Sequence, residues 1–145
     1  MMKKILVPID GSDFSKIAIQ KAKTFAMAFN SEIILLHVME MSKTNYPSYP
    51  YKFSTELVSN YQKESRAISD KIIADAKEAL VCLSNEVNVV SGEGNPAEEI
   101  IKYAESAQVD LVIMGSSGFS GMRNMLGSVA RKVTMNINRP ILIIK

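Results

Sequence analysis

Ile5-Leu6-Val7-Pro8-Ile9-Asp10-Gly11-Ser12-Asp13 is the stretch on which the fold turns. The run Ile5 to Ile9 is apolar throughout, which suits a strand covered on both faces rather than one alternating between core and solvent. Pro8 has no N–H to give a ladder, so it belongs at the strand's end and predicts a backbone bend beside a cleft. Asp10 suits an Asx-turn, and Ser12 or Asp13 an N-cap. Beyond the cap, Phe14, Ala18, Ala22, Phe25, Ala26 and Phe29 recur at three- and four-residue steps, the face of a helix that packs on a sheet.

Further apolar runs of strand length follow at Ile33 to Val38, Val87 to Val90, Leu111 to Met114 and Ile141 to Ile144. Helical periods lie between them. A long second helix, Thr55 to Leu83, is expected to bury Val58, Tyr61, Ile68, Ile72, Ala76, Ala79 and Leu83. The third opens with Asn95 as cap, Pro96 at the first helical position and Glu98 and Glu99 favouring the dipole, and turns Ile100, Ile101 and Ala104 inward. A fourth runs from Gly127 or Ser128 to Ile137, after which Pro140 admits the last strand. Strands alternating with helices predict a doubly wound α/β fold, a parallel sheet covered by helices on both faces. The Tyr- and Pro-rich stretch Lys43 to Phe53 breaks both periods and reads as an irregular loop.

With 145 residues, 47% hydrophobic and 22% charged, the chain is expected to form one domain over residues 1–145, which excludes disorder and collagen-like arrays. A net charge of +2 names no polyanion, so no nucleic-acid partner is expected. The apolar start stops at Pro8 without the core of a signal peptide, and no run approaches the eighteen or so residues that span a bilayer, so no membrane partner is expected. A single cysteine, Cys82, fits a reducing compartment and a cytoplasmic protein; it reads as core, and the nine methionines as core filler.

In open α/β sheets ligands bind beyond the carboxyl ends of the strands. Those ends carry Pro8 to Ser12, His37-Val38, Gly92 to Pro96 and Gly115 to Gly118. The last leads through Phe119-Ser120-Gly121 to Gly127-Ser128 and a helix start, which offers N–H groups and hydroxyls to an anion such as phosphate. A plain flexible connection has the same composition, and these residues alone leave both readings open. No Walker A loop is present. Gly92-x-Gly94-x-x-Ala97 matches the dinucleotide fingerprint, but it follows the third strand and lacks the acidic residue that would hold a ribose. Asp10 suits a ribose hydroxyl or a metal-bound water. His37 reads as a packed or hydrogen-bonded core residue, since a general base needs a positioned partner. No nucleophile elbow appears, and a phosphoacceptor domain would need an acidic cluster where strand 1 has one aspartate. The strand ends form a binding cleft without catalytic residues.

Four segments in order carry a specific likeness: Ile5 to Ser12, Leu35-Leu36-His37-Val38, Gly94-Asn95-Pro96, and Met114-Gly115-Ser116-Ser117-Gly118 through Gly127-Ser128-Val129. With them the chain resembles the universal stress protein family over nearly its whole length. The resemblance implies a five-stranded sheet of order 3-2-1-4-5, of the adenine nucleotide alpha hydrolase-like kind, with Asp10 facing the Gly115 loop across the switch point. The family's ATP-binding branch carries G-x2-G-x9-G-[ST]. By that resemblance Gly115, Gly118, Gly127 and Ser128 would hold the triphosphate of ATP, with Mg2+ or Mn2+ as a possible companion. Pro8, Asp10 and Val38 would line the adenosine side, Val38 through its backbone against the base, with Met114 and Val129 beside them. Between Gly118 and Gly127 stand Phe119 to Leu126, one residue fewer than the motif has, which changes how the loop enters helix 4.

The function so implied is a nucleotide-dependent sensor or switch in stress response with slow hydrolysis at most. The alternatives are a dimeric interaction module with an empty cleft and a slow ATPase. The final strand Ile141 to Ile144 is apolar with only Lys145 beyond it, and as a sheet edge it invites pairing with a second copy. A homodimer through that strand is therefore expected.

Overall fold

The computed structural model describes residues 1–40, 55–118 and 125–145. Its elements are β1 (Lys4–Pro8), α1 (Asp13–Phe29), β2 (Glu32–Met39), α2 (Thr55–Ala79), β3 (Val87–Glu93), α3 (Pro96–Ser106), β4 (Leu111–Gly115), α4 (Ser128–Asn136) and β5 (Ile141–Ile144). All strand pairs are parallel, in the order β3-β2-β1-β4-β5. The chain winds outward from β1 to β3, then crosses back past β1 to β4 and β5. This is the doubly wound fold expected from the alternation, in the order the family resemblance implies.

Side chains alternate strictly between two cores, because successive residues of a strand point to opposite faces. Ile5, Val7, Ile33, Leu35 and Ile113 pack beneath α1 and α2, against Ala18, Ala22, Ala26, Ala76 and Leu80. Leu6, Ile34, Leu36, Val112 and Met114 face the other way, onto Ala97, Ile100 and Ala104 of α3 and Ala130 and Val133 of α4. Alanines at the helix contacts let the helix backbones approach the sheet. Both faces being covered explains why the central strands read as unbroken apolar runs.

Several expectations are corrected. Phe29 is 56% exposed, because α1 meets the sheet through Ser15, Ala18, Ile19, Ala22 and Ala26, and Phe29 falls off that stripe. Helix α2 ends at Ala79 rather than Leu83. Its contact face is Ser69, Ala76 and the following Leu80, whereas Tyr61 and Ile68 are exposed. Ile68 stands about 100° around the helix from its neighbour Ser69, which bonds His37 of β2, and so falls off the contact face. Cys82 lies beyond the helix end and is exposed. Met114 is buried, but Met1, Met27, Met125 and Met135 are exposed and are not core filler. The Lys43 to Phe53 stretch and the Val58 side chain lie outside what is described.

Candidate functional site

Strands β1 and β4 pair only through Ile5↔Leu111 and Leu6↔Val112. Beyond that point β1 stays with β2 as far as Pro8↔Leu36, while β4 stays with β5 as far as Gly115↔Ile144. The two halves of the sheet therefore part at the switch point and open a crevice. Pro8 fits this geometry. Successive residues of a parallel strand address alternate neighbours, and the Ile9 N–H donates to Leu36 O on β2 at 2.9 Å. Position 8 thus addresses β4, where the ladder has already ended, so the missing proline N–H breaks no hydrogen bond.

The chain leaves β1 through a tight turn in which Gly11 takes a φ of 82°, a conformation a side chain would strain. Asp10 Oδ1 accepts the Ser12 N–H at 2.8 Å, the expected Asx-turn. Ser12 Oγ caps α1 by accepting the Ser15 N–H at 3.2 Å, and Ser15 Oγ accepts the Asp10 N–H at 3.2 Å. These bonds hold the Asp10 carboxylate at the crevice mouth. Its Oδ2 lies across from Gly118, where an added Cβ would stand 3.1 Å away.

The glycines after β4 do different work. A Cβ on Gly115 would come within 2.7 Å of Phe14 Cβ and 2.9 Å of the Phe14 backbone carbon, so Gly115 lets α1 dock against the strand end. Gly127 caps α4, and its N–H donates to Ser116 O at 2.7 Å. No side chain caps α4, unlike α1, which is capped by Ser12, and α3, where Asn95 accepts the Glu98 N–H. The first α4 hydrogen bond into the cap runs from Arg131 N to Gly127 O. The N–H groups of Ser128, Val129 and Ala130 are thus left at a helix start, where the dipole attracts an anion.

These parts enclose a cleft of about 300 Å³. All nine residues expected at the site line it: Pro8 and Asp10 from β1, Val38 from β2, Met114, Gly115 and Gly118 from β4 and its loop, and Gly127, Ser128 and Val129 from the start of α4. The stretch Phe119 to Gly121 lies outside the described residues. Pro96 and Ser117, from the strand ends named in the sequence, also line the cleft, and so do Ser15, Glu40 and Ile100, which lie outside those segments. Ile100 was expected to face inward, but only the crossing of α3 over the sheet brings it to the cleft wall. Ser15 stands three residues after the cap, a spacing that could have pointed to it.

Among the described lining residues the charged groups are Asp10 and Glu40, and no lysine or arginine is present. Among these described residues the positive potential comes from backbone amides. His37 stands behind the cleft on the α2 side, 8% exposed, with Nδ1 at 2.7 Å from Ser69 Oγ, the hydrogen-bonded core role expected of it. Burial pushes its pKa below the ordinary histidine value, and the negative charge of Asp10 partly opposes that shift.

A doubly wound α/β sheet with a glycine-lined, amide-rich cleft at its switch point defines a class of small ligand-binding domains. Within that class the chain belongs to the universal stress protein family, whose family model matches residues 1–145. It is 36% identical over 147 residues to the universal stress protein MJ0531 of Methanocaldococcus jannaschii, covering 100% of this chain and 83% of that one. It is 34% identical over 152 residues to the universal stress protein YxiE of Bacillus subtilis, covering 100% of both. Among solved structures, hypothetical protein MJ0577 superposes with a TM-score of 0.86 at 32% identity, covering 100% of this chain and 96% of that one. The universal stress protein from Archaeoglobus fulgidus in complex with dAMP shares the fold, with a TM-score of 0.69 at 17% identity over 100% of this chain and 98% of that one. Among the described residues no helix is long and apolar enough to cross a membrane.

Proposed function

We propose that the protein binds an adenine nucleotide, ATP in the first place, and acts as a nucleotide-dependent sensor or switch in stress response. The observation that carries this reading is the uncapped start of α4 facing a glycine-lined cleft at the switch point. Gly118, Gly127 and Ser128 hold the phosphates, while Gly115 sets the height of the loop. Pro8, Asp10 and Val38 line the adenosine side, and Met114 and Val129 close the wall. Asp10 Oδ1 is engaged in the turn, which leaves Oδ2 for a ribose hydroxyl or a cation. No cluster of three or more potential metal ligands occurs among the described residues. A Mg2+ or Mn2+ ion would therefore arrive with the triphosphate, offset its charge and find in Asp10 a hard oxygen donor. Among the described residues no histidine, cysteine or lysine lines the cleft, and the reading keeps hydrolysis slow at most.

The protein works in the cytoplasm as a homodimer paired through β5. Of the two sheet edges, β3 exposes Asn88, Ser91 and Glu93 beside Val89, whereas β5 offers half-buried Ile141, Leu142 and Ile143 with no polar residue among them. An apolar edge calls for a cover. Titration calorimetry with ATP and AMP tests the binding: saturable heat is expected, and Gly118→Val abolishes it by filling the space before Asp10. No heat from either nucleotide, with the dimer intact, would replace this reading by that of an interaction module.

A further inference from the structure

We propose that the Ser15 hydroxyl donates a hydrogen bond to the first phosphate of a nucleotide in this cleft, a contact made from α1 and outside the glycine loop. The inference rests on the nucleotide-binding reading and adds to it a donor that the loop after β4 does not contain.

Ser15 is 4% exposed and lines the cleft. Two hydrogen bonds fix its place. Its N–H donates to Ser12 Oγ at 3.2 Å, and its Oγ accepts the Asp10 N–H at 3.2 Å. The second bond uses the hydroxyl as an acceptor, and the hydroxyl's own proton has no acceptor among the described residues. Ser12, the other hydroxyl of this turn, caps α1 but does not line the cleft. A buried donor without an acceptor costs free energy, which an oxygen of a ligand in the cleft would recover.

Position along the cleft decides which oxygen that is. Phe14 stands against Gly115, and the Asp10 carboxylate against Gly118, so the first turn of α1 adjoins the loop that this reading gives to the phosphates. Val38, on the adenosine side, belongs to β2, across β1 from that loop. A nucleotide reaching from the loop towards β2 therefore brings the phosphate joined to its ribose over the end of β1, where Asp10 and Ser15 meet. Asp10 puts a negative charge there, so the phosphate needs a donor, and no lysine or arginine among the described lining residues supplies one. Ser15 is held in place before the ligand arrives, and little ordering is lost in making the contact.

Titration of the full chain with AMP and with adenosine, followed by NMR, tests the assignment, because the two ligands differ only in the phosphate. Wild type is expected to prefer AMP, and Ser15→Ala to cut that preference by roughly tenfold, the scale of a hydrogen bond to a charged group. Loss of the Asp10 N–H acceptor disturbs both ligands alike, so the ratio of their affinities isolates the phosphate contact. Ser15→Thr keeps the hydroxyl and keeps the ratio. Ser15→Cys, a weaker donor of similar shape, lowers the ratio in the same direction and serves if the alanine variant fails to fold. A ratio unchanged by Ser15→Ala or Ser15→Cys overturns the phosphate contact and leaves nucleotide binding standing. Failure of both ligands to bind wild type overturns both.

Discussion

Replacing Gly115 and Gly118 one at a time with alanine separates the glycine that builds the cleft from the one that keeps it open. At position 115 the new methyl group would meet Phe14 Cβ at 2.7 Å and the Phe14 backbone carbon at 2.9 Å, against about 3.5 to 4.0 Å for a comfortable carbon contact. The obstructing atoms include the main chain of α1, which cannot rotate aside, so the helix or the strand end must move. Overpacking of this kind costs about 3 kcal/mol, the upper part of its usual range. At this chain length each kcal/mol lowers the melting temperature by about 4 °C, so Gly115→Ala should melt about 12 °C below wild type. At position 118 the methyl group meets only Asp10 Oδ2, at 3.1 Å. That atom ends a side chain that can give way, and Gly118→Ala should melt within about 2 °C of wild type while binding nucleotide more weakly. Thermal unfolding followed by circular dichroism, with calorimetric titration of the same samples, reads both quantities. A Gly115→Ala protein as stable as wild type would refute the packing argument, and an unstable Gly118→Ala protein would refute the division of labour.

Other substitutions test neighbouring parts of the account. Ser12→Ala removes the α1 cap and should lower unfolding free energy by about 1 kcal/mol in urea titration. Asp110→Ala removes the acceptor of the Lys3 and Lys4 N–H groups, at 2.8 and 2.9 Å. The bond from Lys4 leads in holding the Asp110 pKa below its ordinary value, so its contribution is present above the carboxylate range and is lost as pH falls through the folded value. Urea titrations should accordingly show the gap between wild type and Asp110→Ala closing in acid. His37 has a lowered pKa, chiefly from burial, so its neutral form is the one the fold favours. Its contribution is complete above the ordinary histidine value and declines as pH falls below that value towards the folded pKa. Wild type should lose more stability between pH 7.5 and 5.5 than His37→Gln does, and equal losses would contradict the buried pair with Ser69. Under the proposed β5 pairing, light scattering should give wild type the mass of a dimer and Leu142→Lys that of a monomer.

The strands and the starts of α1, α3 and α4 were legible because each rests on local chemistry: unbroken apolar runs, Ser12, Asn95-Pro96, and Gly127 before Ser128. The nine cleft residues were legible only in part from chemistry. Strand-end position pointed to Asp10, Val38 and the Gly115 loop, and likeness to a family supplied the role of Val38 and the grouping. What failed depends on three-dimensional reach. The helical period runs on through Tyr61 and Ile68, yet the face of α2 that meets the sheet passes through Ser69 and Ala76 and leaves both of them exposed. The Cys82 side chain seemed to continue an apolar face that stops at Ala79. Gly115 looked like a phosphate-loop glycine, and only the approach of Phe14 shows that its first duty is packing. Glu40 reaches the cleft from the residue after β2, a position that no periodicity singles out.

The most direct test of the central claim is a titration of the 15N-labelled protein with AMP and with MgATP, following backbone amide signals. Binding at the switch point predicts saturable shifts of Gly118, Ser128, Val129 and Ala130, with Asn30, Ser84 and Asn85 at the opposite end of the sheet unmoved. Shifts that fail to saturate, or that gather at that opposite end, would contradict it.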